Sequence, residues 1–308
     1  MPARLLPSLL LAGALIVPLV ALSTGLGSMP SARAKGARTV EAGDICGSAR
    51  GATVRVSIDV PGQGDRSALV RIPRARGGRL PLLLALHGAY GSGAFMEGYS
   101  GLSRIADREG FAVVYPDAAG PRWRISAAEG ESDVAFLDAL LDRVLATGCL
   151  DQHRVSVVGV SNGGGMAARF ACAADERLAG LVTVAGGYRS LPACSANRPL
   201  SVLEIHGTAD SVVPYNGAPG TGAGAVMSWL GGWVRRDGCP SSPRTEQLTA
   251  RVARLDWASC RGGAAIEHLR LAGGAHAWPG ADPPDYGPDL GVSAAEEAWA
   301  FLQGRRRG

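Results

Sequence analysis

Residues 154–173 read RVSVVGVSNGGGMAARFACA and decide the fold. The first part, Val155 to Val160, is a nearly continuous apolar run, which predicts a strand buried on both faces of a sheet. The second part, Asn162 to Ala173, predicts a helix from its small and apolar residues. Between them, Gly159-Val160-Ser161-Asn162-Gly163 places a serine at a sharp strand-to-helix turn, and the flanking glycines allow close backbone packing there.

Strands and helices alternate along the chain on both sides of this segment. Thr53 to Val60 and Ser67 to Ile72 predict an antiparallel hairpin. Further strands are predicted at Leu80 to Leu86, Phe111 to Tyr115, Leu178 to Ala185, Leu200 to Ile205 and Ala265 to Leu271. Helices are predicted at Ser100 to Glu109, Ser132 to Ala146, Ala225 to Arg236 and Ser293 to Gln303. The order predicts an α/β fold with a mostly parallel central sheet flanked by helices.

A serine nucleophile needs a base that takes its proton and a carboxylate that orients the base. Among the five histidines, His276 lies in a glycine-rich loop after the last predicted strand. Asp210 follows the buried run that ends at Ile205, although aspartates in such loops also cap turns. The order Ser161, Asp210, His276 is the order of triad residues in α/β hydrolases. We interpret His206 as structural, holding the loop beside it.

The loops at the carboxyl ends of the strands also supply candidates for binding. In α/β hydrolases the oxyanion hole is formed by two backbone N–H groups. One belongs to the residue after the nucleophile, and the other to the loop after the first buried strand. That predicts Asn162 and Ala89, with Tyr90 as the neighbouring alternative. Because ligands of open α/β sheets bind at this edge, the aromatic residues Tyr90, Trp123 and Trp278 are predicted to contact the substrate.

The N-terminus has the features of an export signal. Arg4 precedes an apolar run, and a small-residue stretch ends at Ala34, which predicts a signal peptide over residues 1–34 and a catalytic domain over residues 35–308. An uncleaved anchor is the alternative, although Pro7 and Pro18 interrupt the run. We therefore expect a secreted protein, periplasmic in a Gram-negative cell, with no membrane partner after cleavage.

The net charge of +4 belongs largely to the two ends of the chain, including the three arginines at 305–307. The interior has no basic stripe, which argues against a nucleic-acid partner. Six cysteines in an exported chain indicate disulfides, and six allow 15 pairings. Proximity suggests three pairs: Cys172 with Cys194, Cys239 with Cys260, and Cys46 with Cys149. The sequence contains no Cys-x-x-Cys pair of the kind that marks a zinc site.

Five segments in this order resemble the polyhydroxybutyrate depolymerase-like esterases of bacteria, a group that includes feruloyl and acetylxylan esterases. They are LLLALHGAYGSG, FAVVYPDA, RVSVVGVSNGGGMA, EIHGTADSVVPYNG and GGAHAWPG. The resemblance implies an α/β-hydrolase fold, no metal or organic cofactor, and a triad at Ser161, Asp210 and His276. Ala275 and Ala277 depart from the family, which often has Gly and Thr there. The short connection from Gly186 to Leu200 predicts no large lid.

The expected activity is hydrolysis of a carboxylic ester through an acyl-enzyme, by a monomer. The ester would be a small molecule or one linked to a polysaccharide, with a feruloyl, acetyl or short hydroxyalkanoate group. No appended polymer-binding domain is recognised, so soluble or side-chain esters are favoured over solid polyester. Three alternatives stay open: a polyester depolymerase, a peptidase that uses the same triad, and a non-catalytic surface-binding protein.

Overall fold

The fold is built on a ten-stranded sheet. A computed structural model describes residues 38–39, 45–48, 50–74, 78–218, 224–282, 284 and 288–307. The signal peptide expected over residues 1–34 lies outside these ranges. Within them, no helix has the length and apolar character that a membrane span requires.

The strands are β1 (Ala52–Val60), β2 (Gly64–Ile72), β3 (Leu80–Leu86), β4 (Ala112–Pro116), β5 (Leu150–Val160), β6 (Gly180–Val184), β7 (Ser201–Gly207), β8 (Arg244–Thr249), β9 (Val252–Trp257) and β10 (Ile266–Leu271). The α-helices are α1 (Ile45–Ser48), α2 (Gly93–Ser100), α3 (Leu102–Glu109), α4 (Glu131–Leu145), α5 (Asn162–Ala173), α6 (Val226–Arg236) and α7 (Ala294–Leu302).

The strand order is β1-β2-β4-β3-β5-β6-β7-β10-β9-β8. The six central strands, from β4 to β10 in this order, are mutually parallel. An antiparallel hairpin closes each edge, β1–β2 on one side and β8–β9 on the other. The parallel strands are largely apolar, as expected where helices cover both faces of a sheet. Because the six strands are parallel, their carboxyl ends meet at one edge of the sheet, together with the loops that follow them.

Two hydrophobic clusters form the core, one on each face of the sheet. The first includes the buried sides of α4, α5 and α6, and the second includes those of α2, α3 and α7. Met166 of α5 and Ile105 of α3 are representative, with exposures of 0% and 1%. This arrangement confirms the predicted α/β class and the mostly parallel sheet between helices.

The structure contains elements that the sequence pattern does not predict, among them the short helix α1. Gly101, at φ 71°, ends α2 and begins α3, so the helix predicted over Ser100–Glu109 corresponds to α3 from Leu102 onward, and the preceding α2 was not predicted. The β8–β9 hairpin was also missed. The β8 side chains are nearly all exposed at the sheet edge, so the strand lacks the apolar run or alternation that marks a buried one.

Three disulfides link cysteines that the sequence pairs by proximity: Cys46–Cys149, Cys172–Cys194 and Cys239–Cys260. Cys172 lies at the C-terminal end of α5, and Cys194 lies in the connection between β6 and β7. That connection, residues 185–200, contains no helix. The second disulfide therefore ties an irregular segment to the helix that follows Ser161.

Candidate active site

Ser161 lies in the turn between β5 and α5, with φ 55° and ψ −121°. A serine with positive φ is strained, and such strain is held at functional sites by the surrounding structure. Here the Ser161 N–H donates to Val184 O at 2.9 Å, and Ser161 O accepts from the Gly165 and Gly187 N–H groups. The turn is thus fixed on both sides, and the side chain projects at the carboxyl edge of the sheet.

The close packing behind the turn requires glycine at position 163. A Cβ placed there would lie 2.3 Å from His87 O and 2.4 Å from Leu86 O, so there is no space for a side chain. The first turn of α5 therefore passes directly against the end of β3. As a result, the loop after β3 reaches Ser161: a Cβ on Gly88 would be 3.5 Å from the Ser161 Cβ.

His276 connects Ser161 to Asp210. Its Nε2 is 3.0 Å from Ser161 Oγ, and its Nδ1 is 2.7 Å from Asp210 Oδ2. The other carboxylate oxygen of Asp210 accepts the N–H groups of Val212 and Val213 at 2.8 and 2.7 Å. The structure therefore brings together all three residues that the sequence predicts as a triad, in the hydrogen-bonded series that acyl transfer requires.

The loops that carry Asp210 and His276 are joined by backbone hydrogen bonds. Thr208 N–H donates to Leu271 O, and Ala209 N–H donates to Gly274 O, each at 2.9 Å. A Cβ on Gly207 would be 2.1 Å from Gly274 O, so the two loops pack with no room for a side chain. Because β7 and β10 are adjacent parallel strands, their loops emerge side by side and hold the carboxylate next to the imidazole.

Asp210 is buried, and burial alone would raise the pKa of its carboxyl. Hydrogen bonds from His206 and His276 outweigh burial and hold that pKa well below its ordinary value of 3.8. The carboxylate therefore stays ionised at neutral pH. An ionised carboxylate at Nδ1 fixes the tautomer in which Nε2 of His276 is free to accept a proton from Ser161.

Two backbone N–H groups near Ser161 are free to receive an oxyanion. Those of Asn162, at the start of α5, and of Ala89 have no acceptor among the described residues. The N–H of Tyr90 instead donates to Pro121 O. The geometry thus favours Ala89 over the neighbouring alternative Tyr90, and the α5 N-terminus adds a partial positive charge.

His87 fixes the loop that contains Ala89. Its Nδ1 is 2.7 Å from Gly88 O, and its Nε2 is 3.1 Å from the Ala118 nitrogen. A carbonyl only accepts and an amide N–H only donates, so the neutral ring protonated on Nδ1 satisfies both. Burial lowers the pKa of His87 and agrees with this form. His87 therefore shapes the loop and transfers no proton.

The expectation that Trp123 and Trp278 contact the substrate is wrong for this structure. Their side chains are 1% and 0% exposed. The Trp123 indole donates to His87 O at 3.0 Å, and the Trp278 indole donates to Ser100 O at 3.1 Å. Both rings bury their apolar area and satisfy their single donor inside the fold. Of the three predicted aromatic residues, Tyr90 alone is accessible, at 84% exposure and with φ 63°.

Asn162 has a second contact that the sequence did not indicate. Its side-chain oxygen accepts a hydrogen bond from the backbone N–H of Trp123 at 2.8 Å, and its side-chain nitrogen donates to the backbone carbonyl of Trp123 at 3.1 Å. The residue after Ser161 thereby holds the segment that contacts His87. The loops after β3, β4 and β5 form one connected wall beside Ser161.

Sequence reasoning also missed Glu204, which lies in β7 two residues before His206. Its carboxylate is fully buried and 2.7 Å from His206 Nδ1. The available signal was a carboxylate between the apolar Leu203 and Ile205 of a strand predicted to be buried, because such a group is rarely buried without a partner. In the described ranges, no group of three or more His, Cys, Asp or Glu side chains is arranged to hold a metal ion.

Comparison with known proteins identifies the family. The model of the family described as esterase PHB depolymerase matches residues 66–266. The chain belongs to this family. The putative esterase NocK of Nocardia uniformis subsp. tsuyamanensis is 30% identical over 256 residues, 73% of this chain and 74% of that protein. Probable feruloyl esterase C of Aspergillus terreus is 29% identical over 69% of this chain and 72% of that protein. This member of the family is a carboxylic ester hydrolase.

Solved structures agree on the fold. Acetyl xylan esterase from Aspergillus awamori matches with a TM-score of 0.61 at 15% identity, over 82% of this chain and 99% of that one. At this identity the likeness shows the α/β-hydrolase fold alone. Two further sequence relatives are longer proteins, of which the chain covers 30% and 42%.

Proposed function

We propose that this member of the family is a serine esterase that works through an acyl-enzyme, with Ser161 as nucleophile, His276 as base and Asp210 as the residue that orients His276. The observation that carries the proposal is the continuous series from Ser161 Oγ through the imidazole to Asp210 Oδ2, at 3.0 and 2.7 Å. Members of such a series act as one unit in acyl transfer.

The proposed reaction has two steps. Ser161 Oγ attacks the ester carbonyl while its proton moves to His276 Nε2, and the N–H groups of Asn162 and Ala89 bind the oxyanion. The intermediate collapses to the acyl-enzyme, and His276 returns the proton to the leaving alcohol. Water then attacks the acyl-enzyme with His276 as base, and the acid leaves as Ser161 recovers its proton.

The proposed substrate is an ester attached to a large or flat carrier, such as a feruloyl or acetyl group on a polysaccharide. No helix covers Ser161 from the connection at residues 185–200. Tyr90 follows Ala89 in the loop after β3 and is 84% exposed, and Val212 lies in the turn after Asp210 and is 66% exposed. These two apolar side chains offer the substrate an accessible surface, and Tyr90 keeps its proposed binding role. The relatives named as feruloyl and acetylxylan esterases fit this class.

Three disulfides support export, because such bonds persist in oxidising compartments. We propose a signal peptide over residues 1–34, a single catalytic domain over residues 35–308, and a monomeric enzyme that acts outside the cytoplasm. Mass spectrometry of exported protein without reductant tests this. A mature N-terminus at residue 35 and no free thiols are expected, whereas an intact N-terminus or six free thiols would contradict it.

The test of the activity compares wild type with Ser161→Ala on p-nitrophenyl acetate and butyrate, methyl ferulate, acetylated xylan and a peptide anilide. Loss of the nucleophile reduces kcat by about a millionfold. Wild type is expected to hydrolyse the esters and not the anilide. Ser156→Ala is the matched control, since Ser156 is a buried serine of β5 away from the turn. Equal activity of wild type and Ser161→Ala would refute the proposed mechanism.

A second candidate is hydrolysis of hydroxyalkanoate polyester, which the description of the matching family favours. The same accessible surface at Tyr90 and Val212 would contact the polymer. Clearing of a polyhydroxybutyrate suspension, with release of soluble hydroxy acids, separates this candidate from activity on soluble esters alone. Retained activity on methyl ferulate without clearing would favour the first candidate.

A further inference from the structure

A chain of buried polar side chains continues behind Asp210, away from Ser161. His206 Nε2 is 3.2 Å from Asp210 Oδ2 and 2.9 Å from Val213 O. His206 Nδ1 is 2.7 Å from Glu204 Oε1. Glu204 and His206 are two residues apart in β7 and so share a face of the sheet. Their side chains are fully buried.

The partners of Glu204 indicate its ionisation state. The Tyr188 hydroxyl donates to Oε1 at 3.1 Å, and His268 Nδ1 is 2.8 Å from Oε2. His268 Nδ1 also lies 3.1 Å from the Glu204 carbonyl, which only accepts, while the Tyr215 hydroxyl contacts the other ring nitrogen of His268. His268 thus donates its Nδ1–H to the Glu204 carbonyl, and this places the N–H dipole next to Oε2, which has no other partner among the described residues. A carboxyl group surrounded by such donors is stabilised as the carboxylate.

The partners of His206 then indicate that it carries both ring protons. Its Nε2 faces a carbonyl and the Asp210 carboxylate, which are acceptors, and its Nδ1 faces the Glu204 carboxylate. Each ring nitrogen therefore needs a proton to donate. Burial disfavours the charged ring, but the Glu204 and Asp210 carboxylates outweigh burial and raise the pKa of His206 to about 10. Burial also disfavours charge on Glu204, yet His206 and His268 lower the pKa of Glu204 to about 2.

We propose that His206 is a positioning residue for Asp210: a buried imidazolium, held by Glu204, that keeps the Asp210 carboxylate ionised and directed at His276. This inference rests on the proposed function, since it concerns the same triad. Glu204, His206 and Asp210 together carry one negative charge. The proton that His276 gains during the reaction neutralises that charge without leaving a surplus in the buried site.

Other ionisable groups surround His206 and enter any pH argument. On neighbouring elements these are Tyr188 after β6, Tyr215 in the loop after β7, His268 and the exposed Arg270 of β10, and His276 beyond Asp210. Of these, His276 contacts the carboxylate that His206 also contacts. Removing the His206 charge is therefore expected to act on catalysis through Asp210 and His276.

The first experiment measures the protonation of His206 in the wild-type chain and uses a variant only to assign the signal. Histidine labelled with 15N is incorporated, and the His206 signal is assigned among the five histidines by its loss in His206→Gln. Both ring nitrogens of His206 are expected to carry protons from pH 5 to about pH 8. One unprotonated ring nitrogen at pH 7 would overturn the proposal.

The second experiment measures kcat, KM and the pH profile of kcat/KM with p-nitrophenyl butyrate. In His206→Gln two carboxylates remain near His276, so the acidic limb is expected to move to higher pH by about one unit. We expect kcat to fall by about 10- to 100-fold, as a small misplacement of a catalytic group costs, with KM unchanged. A limb at the wild-type pH with kcat within about twofold would overturn the proposal.

The double variant Glu204→Gln/His206→Gln supplies a rescue that a purely structural role would not give. It leaves Asp210 as the single charge, so the limb is expected to return toward the wild-type pH and part of kcat to recover. Equal limb positions and equal kcat losses in single and double variants would contradict this. Tyr188→Phe is the matched control, because it removes a donor to Glu204 without changing a charge. Ser161→Ala is measured alongside: its inactivity supports the triad, and its activity would refute the proposed function independently of the His206 labelling result.

Discussion

The ends of β3 and β7 make a close internal comparison. Each strand finishes with a histidine followed by glycine, Leu86-His87-Gly88 and Ile205-His206-Gly207, at the same edge of the parallel sheet. Both histidines are 1% exposed. Yet His87 is held neutral between a carbonyl and an N–H, whereas His206 is held charged between carboxylates.

The difference shows that the partners of a buried histidine decide its charge, because burial disfavours the charged ring at both sites. Burial lowers the pKa of His87, and no carboxylate lies close enough to reverse that effect. At His206 two carboxylates reverse it. The two sides of the site are therefore built differently. The proposed oxyanion side, at Ala89 and Asn162, relies on oriented backbone dipoles, and the proposed triad side, at Asp210 and His276, relies on compensated charges.

Within this comparison of β3 and β7, the largest expected effect comes from removing the charge that both His206 and His276 contact. Asp210→Asn preserves shape but places an amide where His276 Nδ1–H needs a carboxylate, so kcat should fall by about 10,000-fold. Steady-state kinetics on p-nitrophenyl butyrate measures this. Asp237→Asn is the control, because Asp237 is also buried but accepts from Leu200 N–H and pairs with Arg236. A loss of less than about tenfold in Asp210→Asn would contradict the assignment.

The matching change on the other side is expected to have a smaller effect and a different signature. His87→Ala removes the ring that joins Gly88 O to the Ala118 N–H, which loosens the loop containing Ala89. Losing one donor of an oxyanion hole costs about 100- to 1000-fold in kcat, and this is the upper limit for the loss of kcat expected in His87→Ala. The acidic limb should not move, since the lost ring is neutral. A limb shift as large as that expected for His206→Gln would show that the two histidines are not electrostatically different.

Much of the fold followed from local sequence pattern. Continuous apolar runs marked the parallel strands, and Asn162–Ala173 was predicted with the bounds that α5 has. Chain order then placed Ser161, Asp210 and His276 at one edge, because parallel strands with crossover helices end on the same side. The β8–β9 hairpin was missed, since exposed edge strands carry no burial pattern.

The environment of the site was less predictable, because it depends on which distant side chains meet. Loop position suggested substrate contact for Trp123 and Trp278, but their indole N–H groups are bonded to His87 O and Ser100 O inside the fold. Sequence likewise gave no means of distinguishing the charge of His206 from that of His87. That distinction arises from Glu204 and Asp210, which three-dimensional packing brings together.

The pH dependence of stability should separate the two histidines in opposite directions. A folded-state pKa of about 10 against an ordinary 6.5 means that His206 stabilises the fold fully below pH 6.5 and loses that effect toward pH 10. The lowered pKa of His87 means that its contribution is present above pH 6.5 and is lost as pH falls below it. Melting temperatures are compared for wild type, His206→Gln and His87→Ala from pH 5 to 10.

The gap in melting temperature between wild type and His206→Gln should narrow as pH rises above 6.5, while the gap to His87→Ala should narrow as pH falls below 6.5. Glu204 sets the lower end of the His206 window, because its pKa of about 2 against 4.5 confers stability that is lost only below pH 4.5. If the two differences in melting temperature from wild type changed with pH in the same direction, the two rings would have the same charge.

The smallest expected effect isolates the hydrogen bond that holds the His87 backbone. Trp123→Phe removes the indole donor to His87 O, a bond that contributes about 1 kcal/mol, so the melting temperature should fall by about 2 to 4 °C. Trp257→Phe is the matched control, because the buried Trp257 indole N–H has no partner among the described residues. We expect kcat to fall only in Trp123→Phe, by less than about tenfold, because the indole hydrogen bond to His87 O holds the loop that contains Ala89. Equal changes in both variants would attribute the effect to lost ring volume and remove Trp123 from the support of the oxyanion side.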